Sequence, residues 1–183
     1  MNFNFRQKNE ESRNANNEIK QILKNFFNAK EIIETVSGSE EDKIGIDYWV
    51  ILQNKKRLAV DAKVREIDYL KKDVALETWS IIENKKVGWT LDSEKKTDYI
   101  IWFWKDTASW CLFPFQLLKK VFEDKKDEWR ASYRHAIQKS DENSQEWHSE
   151  CIFVPKEIIW QEITKQTNQT YFPETQKKLD GWQ

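Results

Sequence analysis

Asp61 and Lys63 share one strand-like run, RLAVDAKV (57–64), and Asp47 sits in the run before it, IGIDYWVIL (44–52). Charges within apolar strands cost free energy unless they are paired or put to use. Side chains alternate along a strand, so Asp61 and Lys63 share one face, while Leu58, Val60, Ala62 and Val64 take the other, which reads as core. Between the runs lies Gln53-Asn54-Lys55-Lys56, a polar turn, and the three pieces together predict a β-hairpin. Its register decides the chemistry. A three-residue loop centred on Asn54 sets Asp47 opposite Asp61. A two-residue loop at Asn54-Lys55 sets it opposite Ala62, on the wrong face. A shared site therefore requires an odd loop or a bulge.

Two carboxylates brought together repel unless a cation lies between them. Oxygen ligands with open positions suit Mg²⁺ or Mn²⁺. A lysine beside such an ion can orient or help deprotonate a water whose pKa the metal lowers, and the metal stabilises charge growing on a phosphoryl oxygen. The implied chemistry is metal-assisted hydrolysis of a phosphodiester.

Asp47, thirteen intervening residues and then Asp61-Ala62-Lys63 resembles the motif of the PD-(D/E)xK nuclease superfamily, the restriction-endonuclease-like and Holliday-junction-resolvase-like enzymes. There too the motif sits on a hairpin. The likeness covers roughly residues 15–85, and it departs from the pattern at Ile46, where many members have proline. It implies an α/β fold with a mixed central sheet flanked by helices, an αβββαβ core. By the same likeness Asp47 and Asp61 bind Mg²⁺ or Mn²⁺, Lys63 positions the attacking water, and the Ala62 carbonyl is a further ligand. Many members place a glutamate on the helix before the hairpin, and Glu18, 29 residues before Asp47, is expected in that role. Glu77, in ALETWSII (75–82), is a second-tier candidate. The activity implied is that of a DNA nuclease, an endonuclease ahead of an exonuclease, with a homodimer or a protein partner adding DNA affinity. The competing reading is a nuclease-fold binding module that recruits a protein or a nucleic acid without cutting it.

The elements that must carry these residues follow from periodicity. Ile19, Ile22, Leu23, Phe26 and Phe27 recur at three- and four-residue steps and predict an amphipathic helix over about 15–28. AKEIIETV (29–36) reads as extended. ALETWSII, DYIIWFW (98–104) and TASWCLFPF (107–115) read as further strands. A long helix is expected over 114–138, a loop over 139–146, a strand at CIFVP (151–155) and a short helix over 156–164. The whole chain, 1–183, is expected to form a single domain, with 1–14 and 166–183 loosely held.

Lys plus Arg total 30 and Asp plus Glu 31, which excludes a strongly basic chain but leaves room for local basic patches. Lys55, Lys56, Arg57, Lys71 and Lys72 flank the proposed site, and Arg130 and Arg134 lie in a less acid-diluted part of the long helix. All seven are candidate phosphate contacts. Ten tryptophans argue against disorder. Trp102, Trp104 and Trp110 read as core, and packing is also the first reading of Trp129 and Trp147, the better candidates of the five to stack on bases. Cys111, His135, His148 and Cys151 are the only cysteines and histidines. Their spacing and apolar settings argue against a zinc site, and two cysteines are too few for a disulfide framework. No apolar run is long enough to span a bilayer, and MNFNFRQKNEESRN lacks a signal-peptide pattern, so a cytoplasmic location without membrane contact is expected.

Overall fold

Helix α1 (Phe5–Phe26) begins ten residues before its apolar periodicity does, in a computed structural model that describes residues 5–66, 73–142 and 145–171. Six residues of the added turns are Glu, Gln, Lys or Arg, which favour helix without forming an apolar stripe. Ile19 and Leu23 are fully buried, each contributing about 1.5–3 kcal/mol. The helix ends where Asn28 adopts a left-handed φ of 47° and the Ala29 N–H reaches back to the Lys24 carbonyl.

The architecture is mixed α/β, with two sheets and four helices among the described residues. The chain gathers into two compact units. Unit 1 holds residues up to Asp68 together with Glu94–Phe115. It contains α1, β1 (Glu31–Glu34), the short α2 (Glu40–Lys43), β2 (Tyr48–Ile51), β3 (Arg57–Arg65), β6 (Tyr99–Trp104) and β7 (Ser109–Pro114). Its sheet runs β1-β2-β3-β6-β7, antiparallel throughout except for the parallel pair β3–β6. One face packs Tyr48, Val50, Val60, Ile101, Phe103 and Leu112 against Ile19 and Leu23 of α1.

Unit 2 holds Tyr69–Ser93 and Gln116–Gln183. Its antiparallel sheet runs β5-β4-β9-β8, from β4 (Asp73–Ile81), β5 (Lys86–Val87), β8 (His135–Glu142) and β9 (Gln145–Pro155). Helices α3 (Phe115–Ser132) and α4 (Lys156–Tyr171) complete the described elements.

Several expectations shift. The run at 75–82 is a strand, but it pairs with β9 and β5 instead of extending the hairpin sheet. The third antiparallel strand beside the hairpin is β1, and the next neighbour of β3 is β6. The long helix stops at Ser132, and 135–142 is a strand. The run HAIQKSDE has almost no apolar alternation, because β8 is a sheet edge, and Ile137 on it is exposed. The expected loop 139–146 is therefore mostly strand, and the last strand and last helix are both longer than expected. Trp129 is buried against Phe122, so it is core and not a stacking platform.

Candidate functional site

The hairpin loop is the three-residue one. Tyr48 pairs with Val60, Trp49 with Ala59, Val50 with Leu58 and Ile51 with Arg57, a register centred on Asn54. The Leu52 N–H donates to the Lys56 carbonyl, the Lys55 N–H to the Leu52 carbonyl, and Lys55 takes a left-handed φ of 68°. That is a type I turn followed by a left-handed residue. Extended by one residue, the register sets Asp47 opposite Asp61.

Asp47 does not lie within the strand as expected; it immediately precedes β2. Its N–H donates to the Val60 carbonyl and its Oδ2 accepts from the Ala62 N–H at 2.7 Å, so a side chain continues the ladder where the β2 backbone stops. The Asp47 and Asp61 carboxyls lie within hydrogen-bonding reach of each other. Burial, and then the negative charge of Asp61, push the Asp47 carboxyl up to about 6, against the opposing pull of the Ala62 N–H.

Asp61 is 1% exposed. Its Oδ1 meets the Lys63 Nζ at 3.0 Å and its Oδ2 meets the Lys95 Nζ at 2.6 Å. Burial alone would raise its pKa, but the two ammonium groups outweigh burial and hold it below the usual carboxylate range. Lys95 is the residue that sequence reading missed. It lies in the polar run LDSEKKT (91–97), where neighbouring Glu94 and Lys96 are exposed and nothing in the pattern marks one lysine as buried. Its fit depends on Gly45, whose φ is +79° and where a Cβ would collide with the Lys95 ammonium. The Lys96 N–H to Ile44 carbonyl bond and the Thr97 hydroxyl on the Gly45 carbonyl tie this run to the loop that carries Asp47.

An open cleft of about 210 Å³ reaches Asp47, lined also by Asn16, Glu34, Thr35, Ser37, Asp42, Tyr48, Ala62 and Val64. Lys20 and Asn16 hold Glu34, and the Gly38 N–H holds Asp42. The Tyr48 hydroxyl is driven upward in pKa by burial, then by Glu34 and Asp47. Ala62 donates its N–H to Asp47. In a strand a residue's carbonyl leaves the same edge as its N–H, so the Ala62 carbonyl is directed to the Asp47 side.

The structure brings together Asp47, Asp61, Ala62 and Lys63. It does not bring Glu18 to them. Glu18 is exposed on α1, while Asn16 and Lys20, one helical turn apart, present the face that meets Glu34. Glu77 belongs to unit 2, where its Oε2 accepts from the Trp89 N–H at 2.9 Å. Among the described residues, no group of three or more Asp, Glu, His or Cys is arranged to hold a metal ion. Lys55, Lys56 and Arg57 are exposed at the hairpin tip, whereas Lys71 and Lys72 lie outside the described residues. In unit 2, Arg130 forms an ion pair with the buried Glu150 at 2.8 Å, and Arg134 stacks on Phe153 at 3.6 Å, 3.8 Å from Asp73. Both arginines therefore have local structural work. Cys111 lies in unit 1, whereas His135, His148 and Cys151 belong to unit 2.

Among the described residues no helix is long and apolar enough to cross a membrane. Compared with known proteins, the chain matches no family model, no curated protein and no solved structure.

Proposed function

We propose that unit 1 is a divalent-metal-dependent DNA nuclease of the PD-(D/E)xK kind, hydrolysing phosphodiester bonds with activated water. One observation carries this reading: Asp47, one residue beyond the last paired residue of β2, has its carboxyl against that of Asp61, and Lys63 lies beside Asp61. Support also comes from the sheet, in which a helix and three antiparallel strands are followed by a strand parallel to β3. That order is compatible with a restriction-endonuclease-like core, with Tyr69–Ser93 occupying the crossover.

Two touching carboxylates are a donor set suited to a hard dication, and the repulsion that lifts the Asp47 pKa is what such an ion relieves. Asp47 and Asp61 would hold Mg²⁺ or Mn²⁺, with the Ala62 carbonyl as a third oxygen. The ion would supply charge stabilisation at the phosphoryl oxygens and a lower pKa for water. The chain's own contributions are distinct. Lys63, whose side chain is 31% exposed, can leave Asp61 to meet a water or a phosphate oxygen. The cleft admits the backbone to Asp47, and the exposed Lys55, Lys56 and Arg57 offer salt-sensitive phosphate contacts.

The test is incubation of the full chain with plasmid, linear, single-stranded and branched DNA in Mg²⁺, Mn²⁺ or EDTA. Metal-dependent cleavage should fall by at least about 100-fold in Asp61→Ala and Lys63→Ala, the scale of losing a charge-stabilising or proton-handling group. Cleavage that persists unchanged in both variants would sink the assignment. A second reading, a nuclease-like module that binds without cutting, is favoured by the occupation of both Asp61 oxygens by lysines. Folded protein that retains DNA without cutting any substrate selects it.

A further inference from the structure

Lys95 and Lys63 both contact Asp61, but they differ in exposure. The Lys63 side chain is 31% exposed, whereas that of Lys95 is 7% exposed. The Lys95 ammonium occupies space that Gly45 leaves open, and it lies 5.9 Å from the centre of the Phe115 ring. The run that carries it is stitched to the Asp47 loop by the Lys96–Ile44 backbone bond, and to β3 by the Asp98 carboxylate on the Ala59 N–H at 2.8 Å. A Lys95 that left Asp61 would bring an unpaired ammonium into buried surroundings. It is a fixed charge.

Two carboxylates and two ammonium groups sum to zero. A dication held by Asp47 and Asp61 would compete with Lys63 for Asp61 Oδ1 while Lys95 keeps Oδ2 of the same buried carboxylate, and like charges sharing one buried carboxylate repel. An accompanying anion relieves that repulsion. We propose that Lys95 is the built-in countercharge of this site, so that a divalent cation binds the Asp47–Asp61 pair weakly alone and tightly only together with a phosphate group of the nucleic acid. The inference rests on the metal-binding reading above and adds a positioning residue and an order of assembly to it. A lysine that served stability alone would not make its own removal improve metal binding.

The experiment is a titration of the full chain with Mn²⁺, followed by the electron paramagnetic resonance signal of the free ion, without and with a short DNA duplex. Duplex alone and Asp61→Asn are run as controls. Wild type should bind Mn²⁺ at least about tenfold more tightly with duplex than without it, after subtraction of the ions held by duplex alone. Lys95→Met should bind Mn²⁺ without duplex at least about tenfold more tightly than wild type and lose most of the duplex enhancement, while Lys95→Arg keeps both wild-type values. Circular dichroism checks that each variant is folded. Should Lys95→Met not fold, the wild-type comparison alone decides. Wild type that binds Mn²⁺ equally well with and without duplex, through a site lost in Asp61→Asn, overturns the Lys95 inference and leaves the metal reading standing. A folded Lys95→Met that binds no more tightly than wild type overturns it as well. Failure of every chain to bind Mn²⁺ under either condition removes the metal reading itself, and this inference with it.

Discussion

Asp47 holds its proton to about pH 6 in the folded chain, well above its ordinary value of 3.8. The folded state therefore binds more protons than the unfolded state between these values. The contribution of Asp47 to stability is full below about pH 4 and is lost as pH rises through about 6. Asp47→Asn keeps an acceptor for the Ala62 N–H and removes the repulsion with Asp61. Measured in EDTA, the variant should melt several degrees above wild type at pH 8, and the gap should close toward pH 4. A gap that is constant with pH would show that Asp47 does not titrate where its surroundings place it. Asp47, Asp61 and Lys63 were legible in the sequence because alternation in two apolar runs left charges on one face, and an odd loop was the register that united them. Lys95 was not. Its burial comes from a contact with a glycine fifty residues earlier, and no local pattern encodes that. Glu18 shows the converse. Its helix was readable, but which face of the helix meets the cleft depends on packing, and the face is that of Asn16 and Lys20.

Elements whose apolar residues follow one clean period, such as α1, β3 and β6, were evident from the sequence to within a few residues at the ends that matter for the site. The strand β8 is not, since an edge strand with a polar run presents no period-two signal, and its residues read partly as the end of the preceding helix and partly as loop. Pairing partners were least legible. The run at 75–82 is a strand either way, but its partner is β9, about 75 residues later, and strand propensity carries no information about that choice. The β4–β5 corner offers a test at this scale. A Cβ at Gly88 would collide with the Glu77 backbone carbonyl and carbonyl carbon, so backbone and not a flexible tip stands in the way. Gly88→Ala should cost about 1–3 kcal/mol, read as a lower denaturation midpoint at unchanged slope. A neutral result would mean that the Gly88 turn moves aside easily, and that the Glu77–Trp89 bond does not hold it in place.

Across the whole chain, unit 1 is discontinuous in sequence. Its sheet cannot be finished until β6 arrives beside β3, after the chain has passed through Tyr69–Ser93. The β2–β3 hairpin closes over three residues, whereas Ala59 and its Asp98 partner are 39 apart. Short loops close at small entropic cost and long ones only when many contacts reward the closure, so the two joins belong to different stages of folding. Val50→Ala, in the hairpin, should chiefly slow refolding, and Asp98→Ala chiefly hasten unfolding, as read from the two arms of a stopped-flow denaturant chevron. If both substitutions act on the same arm, the joins form together. The parallel seam thus couples two events: the stretch that brings β6 beside β3 also brings Lys95 to Asp61, so the carboxylate is covered and its countercharge supplied by one and the same segment.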